Sequence, residues 1–199
     1  GGVPGVKPAH IIIIGGGATG SGIVRDCVRR GLNCLLLEKQ DLAAGTTGRN
    51  HGLLHSGARY VVKDRESARE CIAENRILKT IARHCIEDTG GLFVTLPEDD
   101  PAYHDRLVNA CREAGINCRE ISPGQALKLE PNVNPRIIRA LTVPDATIDP
   151  FRLAAANVLD AVENGACVCT HCEVVSFLKN QTALEGVRCR DRRTGRTFD

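Results

Sequence analysis

AHIIIIGGGATGSGIVRDCVRRGLNCLLLEK, residues 9–39, is the stretch around which the rest of the chain is arranged. Ile11 to Ile14 is an unbroken β-branched run, too short for a helix and bounded by glycines, so it reads as a central parallel strand buried on both faces. It runs into Gly15, Gly17 and Gly20, the G-x-G-x-x-G spacing, and then into a helical pattern with Ile23, Val24, Cys27 and Val28 on one face. Gly15 permits the tight turn, Gly17 lets a pyrophosphate approach the backbone, and Gly20, with Gly22 behind it, lets the helix lie close on the strand. The free N–H groups and positive dipole end of the helix then face the phosphates. Gly31 ends the helix, Cys34 to Leu37 forms the second strand, and Glu38 at its tip can accept hydrogen bonds from both hydroxyls of an adenosine ribose. The same carboxylate repels a 2′-phosphate, so NADP is disfavoured. Glycine-rich turns are common, but here strand, turn, helix, second strand and acidic residue all fall at the required spacing, which makes this a βαβ dinucleotide site.

Composition narrows the remaining choices. At 199 residues the chain can bury a core as one large domain or two small ones. Net charge is +2 with both signs interspersed and aromatics are 3%, which argues against phosphate tracking or base stacking on nucleic acid. No apolar run approaches the roughly 20 residues of a membrane span, and no charged-then-apolar leader is visible. Ten cysteines beside a nucleotide-binding pattern read as reduced thiols, mostly small hydrophobes: Cys27 and Cys71 on helices, Cys34 and Cys118 in strands. In Cys167-Val-Cys169-Thr-His171-Cys172 a metal would need convergent ligands, whereas strand alternation sends Cys167 and Cys169 to one face and Cys172 to the other, so no metal is assigned. Met is absent even at position 1, and GGVPGVKP, residues 1–8, reads as a leader or tag on a piece of something longer.

After Glu38 a loop over Gln40 to Gly48 leads into TTGRNHGLLHSGARY, residues 46–60, dense in glycines and small hydrogen-bonding side chains. Such density suits a backbone wrapped around a flat polar ring system; the plain alternative is a surface loop whose histidines do nothing. Asp64 to Arg83 is an amphipathic helix with Ala68, Cys71, Ile72, Leu78, Ile81, Ala82 and Cys85 on the face that packs on a sheet. Leu92 to Leu96 is a strand, Asp100-Pro101 opens a helix to Ala114, Asn117 to Ile121 is a strand, Ser122-Pro123 opens another helix, and Ile137 to Val143 is a strand. Residues 92–148 therefore read as an inserted α+β module, with 9–91 and 149–199 as the nucleotide-binding domain. Asp149-Pro150 starts a helix to Glu163, Ala166 to Thr170 returns as a parallel strand, and Val174 to Leu178, Leu184 to Arg190 and the Thr194-Gly195 turn form an antiparallel meander. The fold class is α/β: a Rossmann-like sheet with a meander and an inserted module.

With these residues in view, the sequence resembles the D-amino-acid-oxidase-like superfamily of FAD proteins and, within it, the branch of anaerobic glycerol-3-phosphate dehydrogenase A subunits. IIIIGGGATGSGIVRDC, TTGRNHGLLHSGARY, ESARECIAENRILKTIARHC, GLFVTLPEDD and VPDATIDPFRLAAANVLDA carry the resemblance; the first motif belongs to the whole superfamily and the others together are specific. The resemblance implies FAD held at the pyrophosphate by Gly15, Gly17, Ala18, Thr19 and Gly20, and at the ribose by Glu38 with Lys39 beside it. Thr47, Arg49, Asn50, Gly52 and Leu53 would lie along the flavin side, and the backbone of Val174 would meet the adenine. It also implies oxidation of sn-glycerol 3-phosphate to dihydroxyacetone phosphate, with electrons passing through companion subunits to membrane quinone. The location implied is cytoplasmic, peripheral at the inner face of the membrane. The family pattern continues beyond Asp199 with another glycine-rich strand, further basic substrate ligands and a cysteine-rich iron–sulfur region. The chain is therefore expected to lack the C-terminal part of the family fold.

Hydride transfer needs donor carbon and acceptor about 3–3.5 Å apart with water excluded, and a base for the hydroxyl proton. His55 is the candidate base, since an imidazole titrates near neutrality, and Arg59 is the candidate guanidinium for a dianionic phosphate. The alternatives are that His55 is a structural hydrogen-bond partner and that Arg59 salt-bridges Asp64 or Glu66. The rival functions are a 2-hydroxy-acid dehydrogenase or oxidase of the 2-hydroxyglutarate type, whose branch NHGLLHSG also resembles, and a catalytically silent nucleotide-binding subunit.

Overall fold

The computed structural model describes residues 9–199, so the leader or tag reading of residues 1–8 lies outside the described residues. The first elements are β1 (Ile11–Ile14), α1 (Ala18–Arg29) and β2 (Cys34–Leu37). The chain then passes through a 3-10 turn over Thr46–Arg49 and enters a second compact unit, residues 52–148. That unit holds β3 (Leu53–Leu54), α2 (Arg65–Ile81), β4 (Ile86–Glu87), β5 (Gly91–Thr95), α3 (Pro101–Glu113), β6 (Arg119–Ile121), α4 (Pro123–Leu129), β7 (Arg139–Val143) and β8 (Ala146–Ile148). From Asp149 the chain is again in the first unit, with α5 (Pro150–Glu163), β9 (Cys167–Cys169), β10 (Cys172–Lys179), β11 (Leu184–Asp191) and β12 (Thr197–Phe198). No described helix is long and apolar enough to cross a membrane.

The first unit is built in three layers. A parallel sheet of order β1-β2-β9 carries α1 and α5 on one face, where Ile13, Val24, Val28, Leu36, Val158 and Ala161 form the core. The antiparallel meander β10-β11-β12 covers Leu37 with Cys172, Val187 and Cys189. The isoleucine run reads in sequence as the central strand; among the described residues the middle strand is β2. Among the described residues β1 pairs on one side only, and Ile14 is 53% exposed. An apolar run reports burial; strand order is set by crossovers that the run does not encode. Ile23, expected on the packed face of α1, is exposed, and the buried face is Gly20, Ser21, Val24 and Val28. The two helices are tied by Asp160 of α5, which accepts from Arg25 at 2.7 Å and from Arg29. The Arg29 hydrogen bond holds this carboxyl down at about 2.

The second unit centres on the antiparallel sheet β5-β7-β6. Alternation along β7 sends Leu141 and Val143 to the face covered by α2 and α3, and Ala140 to the face covered by α4. Residues 52–91, grouped by sequence with the nucleotide-binding domain, pack here instead, because Ala58, Val61, Ala68 and Ile72 share a core with Leu107, Val108 and Leu141. Helix α2 begins at the Asp64 cap; of its expected buried face Ala68 and Ile72 are buried, Ile81 is exposed, and Asn75 takes a buried position. Ser122 and Gln125 form a reciprocal capping box that starts α4. A small sheet of order β3-β8-β4, not anticipated from sequence, joins the two ends of the unit.

Candidate functional site

In the first unit the residues converge on the turn between β1 and α1. Gly15 has φ +107, a backbone that L side chains rarely adopt, and its N–H donates to Leu37 O at 2.8 Å. A Cβ on Gly20 would fall 1.9 Å from Gly15 O, so the third glycine is what lets α1 approach the strand. Gly22, assigned the same role from sequence, has nothing within 4 Å of its would-be Cβ and is not needed for it. Gly16, to which the sequence reading gave no role, is as constrained: its Cβ would meet the Leu42 side chain at 2.8 Å. Its N–H donates to Glu38 Oε2 at 2.7 Å, and its C=O accepts from Ala43 N at 3.0 Å.

The start of α1 is prepared for an anion. Gly17 caps it without a side chain, the first turn holds no acidic residue, and Ala18 and Thr19 are exposed. Thr47 reaches across from the 3-10 turn, its Oγ1 accepting from Ala18 N at 3.0 Å, and a Cβ on Gly17 would come within 2.8 Å of that oxygen. Backbone N–H groups at the positive end of a helix, with only the Thr47 hydroxyl set against the first of them, fit a pyrophosphate. Glu38 stands at the tip of β2, with Oε2 accepting from Gly16 N and Oε1 from Gln40 N, each at 2.7 Å. A carboxylate offers about four lone-pair sites, so both oxygens keep capacity for ribose hydroxyls. Lys39 and Arg49 are exposed, and Asn50 Nδ2 donates to Thr47 O at 2.6 Å, closing the turn that presents Thr47. Val174 lies on β10 where the pairing register with β11 shifts, between Val174 and Ser176. The turn, the helix start, Glu38 and Thr47 are thus brought together, and they fit the diphosphate and ribose of a dinucleotide.

The other candidates belong to the second unit. Gly52, at φ +65, accepts from Ile148 N at 2.7 Å, and Leu53 and Leu54 pair with Thr147 and Ala146. Half-buried His55 meets the Tyr60 ring edge-on, with centroids 5.4 Å apart at 79°. The Arg59 guanidinium lies over the same ring at 5.4 Å, which makes Tyr60 the residue that joins the two candidates. Of the alternative salt-bridge partners for Arg59, Asp64 is instead engaged in the α2 cap, accepting from Ser67 N and Ser67 Oγ at 3.0 and 2.7 Å. Sequence reasoning missed Tyr60, Asn75 and Asp145. The available signal was one polar residue at an apolar position of α2.

None of the ten cysteines is paired in a disulfide. Cys167 and Cys169 lie in β9, a turn at His171 with φ +55 comes next, and Cys172 opens β10. No group of three or more His, Cys, Asp or Glu among the described residues is arranged to hold a metal ion.

The family model for FAD dependent oxidoreductases matches residues 10–199. Over 191 residues the chain is 59% identical to the A subunit of anaerobic glycerol-3-phosphate dehydrogenase from Escherichia coli K12, covering 96% of this chain and 35% of that protein. It is 51% identical to the A1 subunit of the enzyme of the same name from Haloferax volcanii, covering 91% of this chain and 31% of that one. The chain spans about a third of the length of these relatives. The solved structure of L-alpha-glycerophosphate oxidase from Mycoplasma pneumoniae, with FAD bound, superposes with a TM-score of 0.78 at 23% identity over 93% of this chain and 49% of that one, a likeness of fold. The glycine turn, the helix start and the acidic tip of β2 meet the demands of that cofactor, and the chain belongs to the FAD dependent oxidoreductase family.

Proposed function

We propose that this protein oxidises sn-glycerol 3-phosphate to dihydroxyacetone phosphate. The observation that carries the reading is the 59% identity to a relative named for that substrate, over an alignment that covers 96% of the chain and so takes in both units. In this reading the first unit holds the ADP half of FAD: the start of α1 and Thr47 at the diphosphate, Glu38 with Lys39 at the ribose, and the Val174 backbone at the adenine. Thr47, Arg49, Asn50, Gly52 and Leu53 serve the flavin end, and the second unit handles the substrate. FAD, when bound, supplies the two-electron acceptor. His55 takes the hydroxyl proton as the carbinol carbon gives up its hydride and becomes a carbonyl. Arg59, with its guanidinium over the Tyr60 ring, presents its fork to the phosphate. Electrons then leave through companion subunits to membrane quinone, an arrangement in keeping with relatives that are named as one subunit of an enzyme, and the protein works at the inner face of the cytoplasmic membrane.

The test is the visible spectrum of the purified full-length protein before and after anaerobic addition of glycerol 3-phosphate. Flavin bands that bleach with this substrate and not with 2-hydroxyglutarate are expected. Bound flavin that no glycerol 3-phosphate reduces would reject the substrate, and bleaching by the hydroxy acid instead would move the protein to that branch.

A further inference from the structure

The strand that precedes His55 is too short to set its position. β3 is two residues long, and a two-residue pairing fixes little of the chain after it. The segment is fixed from elsewhere in the second unit. Ser56 N, immediately after His55, donates to Asp145 Oδ1 at 2.6 Å. Leu54 O, immediately before it, accepts from Asn75 Nδ2 at 3.2 Å. The same amide nitrogen donates to Pro144 O at 3.4 Å, and Lys79, one turn along α2, donates to that carbonyl at 3.0 Å and pairs with Asp88. One face of α2 therefore binds the main chain of β3 and the residues leading into β8.

We infer that Asn75 and Asp145 are positioning residues for His55, clamping the peptide groups on its two sides; this rests on the proposal that His55 accepts the substrate proton. Both are buried, Asn75 at 1% and Asp145 at 8% exposure, where a polar group is costly unless its bonds are made. Among the described residues Asp145 has no basic partner within ion-pair reach, and its carboxylate bonds the Ser56 peptide. Gly57 closes the arrangement. At φ +89 its Cβ would lie 2.5 Å from Ala68 O, so the chain after Ser56 is pressed against α2 without room to rotate. The Ser56 hydroxyl is wholly buried without a hydrogen-bond partner among the described residues, a cost the fold accepts while satisfying the peptide beside it. With Leu54 C=O and Ser56 N–H both held, the Cα–Cβ direction of His55 is set, and the ring arrives edge-on to Tyr60.

The experiment uses the full-length protein loaded with FAD and two readouts: the rate of flavin bleaching by glycerol 3-phosphate in a single turnover, and hydrogen exchange of the peptide covering residues 53–60. Asp145→Ala is expected to slow bleaching about 10- to 100-fold, as misplacement of a catalytic group by about 1 Å does, with flavin content kept and apparent KM changed less than about threefold. Its exchange at Ser56 should quicken about tenfold or more. Asp145→Asn keeps an acceptor for Ser56 N–H and should restore both readouts to within about threefold of wild type. If Asp145→Ala does not fold, Asn75→Leu, similar in size and without the donors, is read in the same way. Bleaching within threefold of wild type in the flavin-loaded Ala or Leu variant, or an Asn variant as impaired as the Ala one, would overturn the inference. A wild-type protein that holds flavin but is not bleached rejects the substrate reading instead, and the exchange comparison still decides whether the clamp exists.

Discussion

Burial pushes the thiols of Cys111 and Cys172 up to about 12 and that of Cys169 to about 11, so at neutral pH almost none of each is thiolate, the reactive form. Of the ten cysteines, these three should react with Ellman's reagent at pH 7.5 at least about 100-fold more slowly in the folded protein than in guanidinium, and native-versus-denatured titration checks it. In the sequence Cys169 and Cys172 stand out only as part of the stretch weighed against a metal, and Cys111 carries no reading of its own; Asn75 and Asp145 carry none either. Asn75 interrupts the apolar positions of α2, which marks it without showing the carbonyl it meets, and Asp145 has no local signal at all. Its partner Ser56 is 89 positions away, and only the folded chain shows that the two meet.

At the scale of the element, the contrast between two glycines of α1 measures what the helix start is for. Gly20→Ala puts a methyl group 1.9 Å from Gly15 O, which must drive α1 off the turn; loss of FAD from the full-length protein and a destabilisation of about 2 kcal/mol or more are expected. Gly22→Ala meets nothing within 4 Å and gains helix propensity, so it should keep FAD and raise stability by about 0.5–1 kcal/mol. Flavin absorbance and the unfolding midpoint of the two variants give the answer. The β1–α1–β2 unit, the α3, α4 and α5 caps and the meander were all readable, because each is written in local signals: glycine spacing, Asp or Ser before Pro, alternation. The packing of α2 with α3 was not, since it depends on residues out of reach of either element.

For the whole molecule, each compact unit has cores of its own, and the second is one continuous stretch. Residues 52–148 expressed alone should melt cooperatively by circular dichroism. Acid should weaken this unit in a defined range. His104, 2% exposed, meets Thr95 Oγ1 at 3.0 Å through Nδ1, with Glu120 3.4 Å from Nε2. Burial, and then the charge of Arg139, pull the imidazole below its ordinary 6.5, against the opposing pull of Glu120 and Asp105. A depressed histidine favours the fold above 6.5 and withdraws that support as pH drops through its folded value, so the melting midpoint should hold between pH 7 and 8 and fall below about 6.5. His104→Gln should flatten that fall. The first and last residues of this stretch are bonded to each other, Ile148 N to Gly52 O, beside the β3–β8 pairing. A segment whose two ends meet can be lifted out or exchanged as a cassette, so about half the chain can be replaced at one pair of neighbouring cuts while the glycine turn stays untouched.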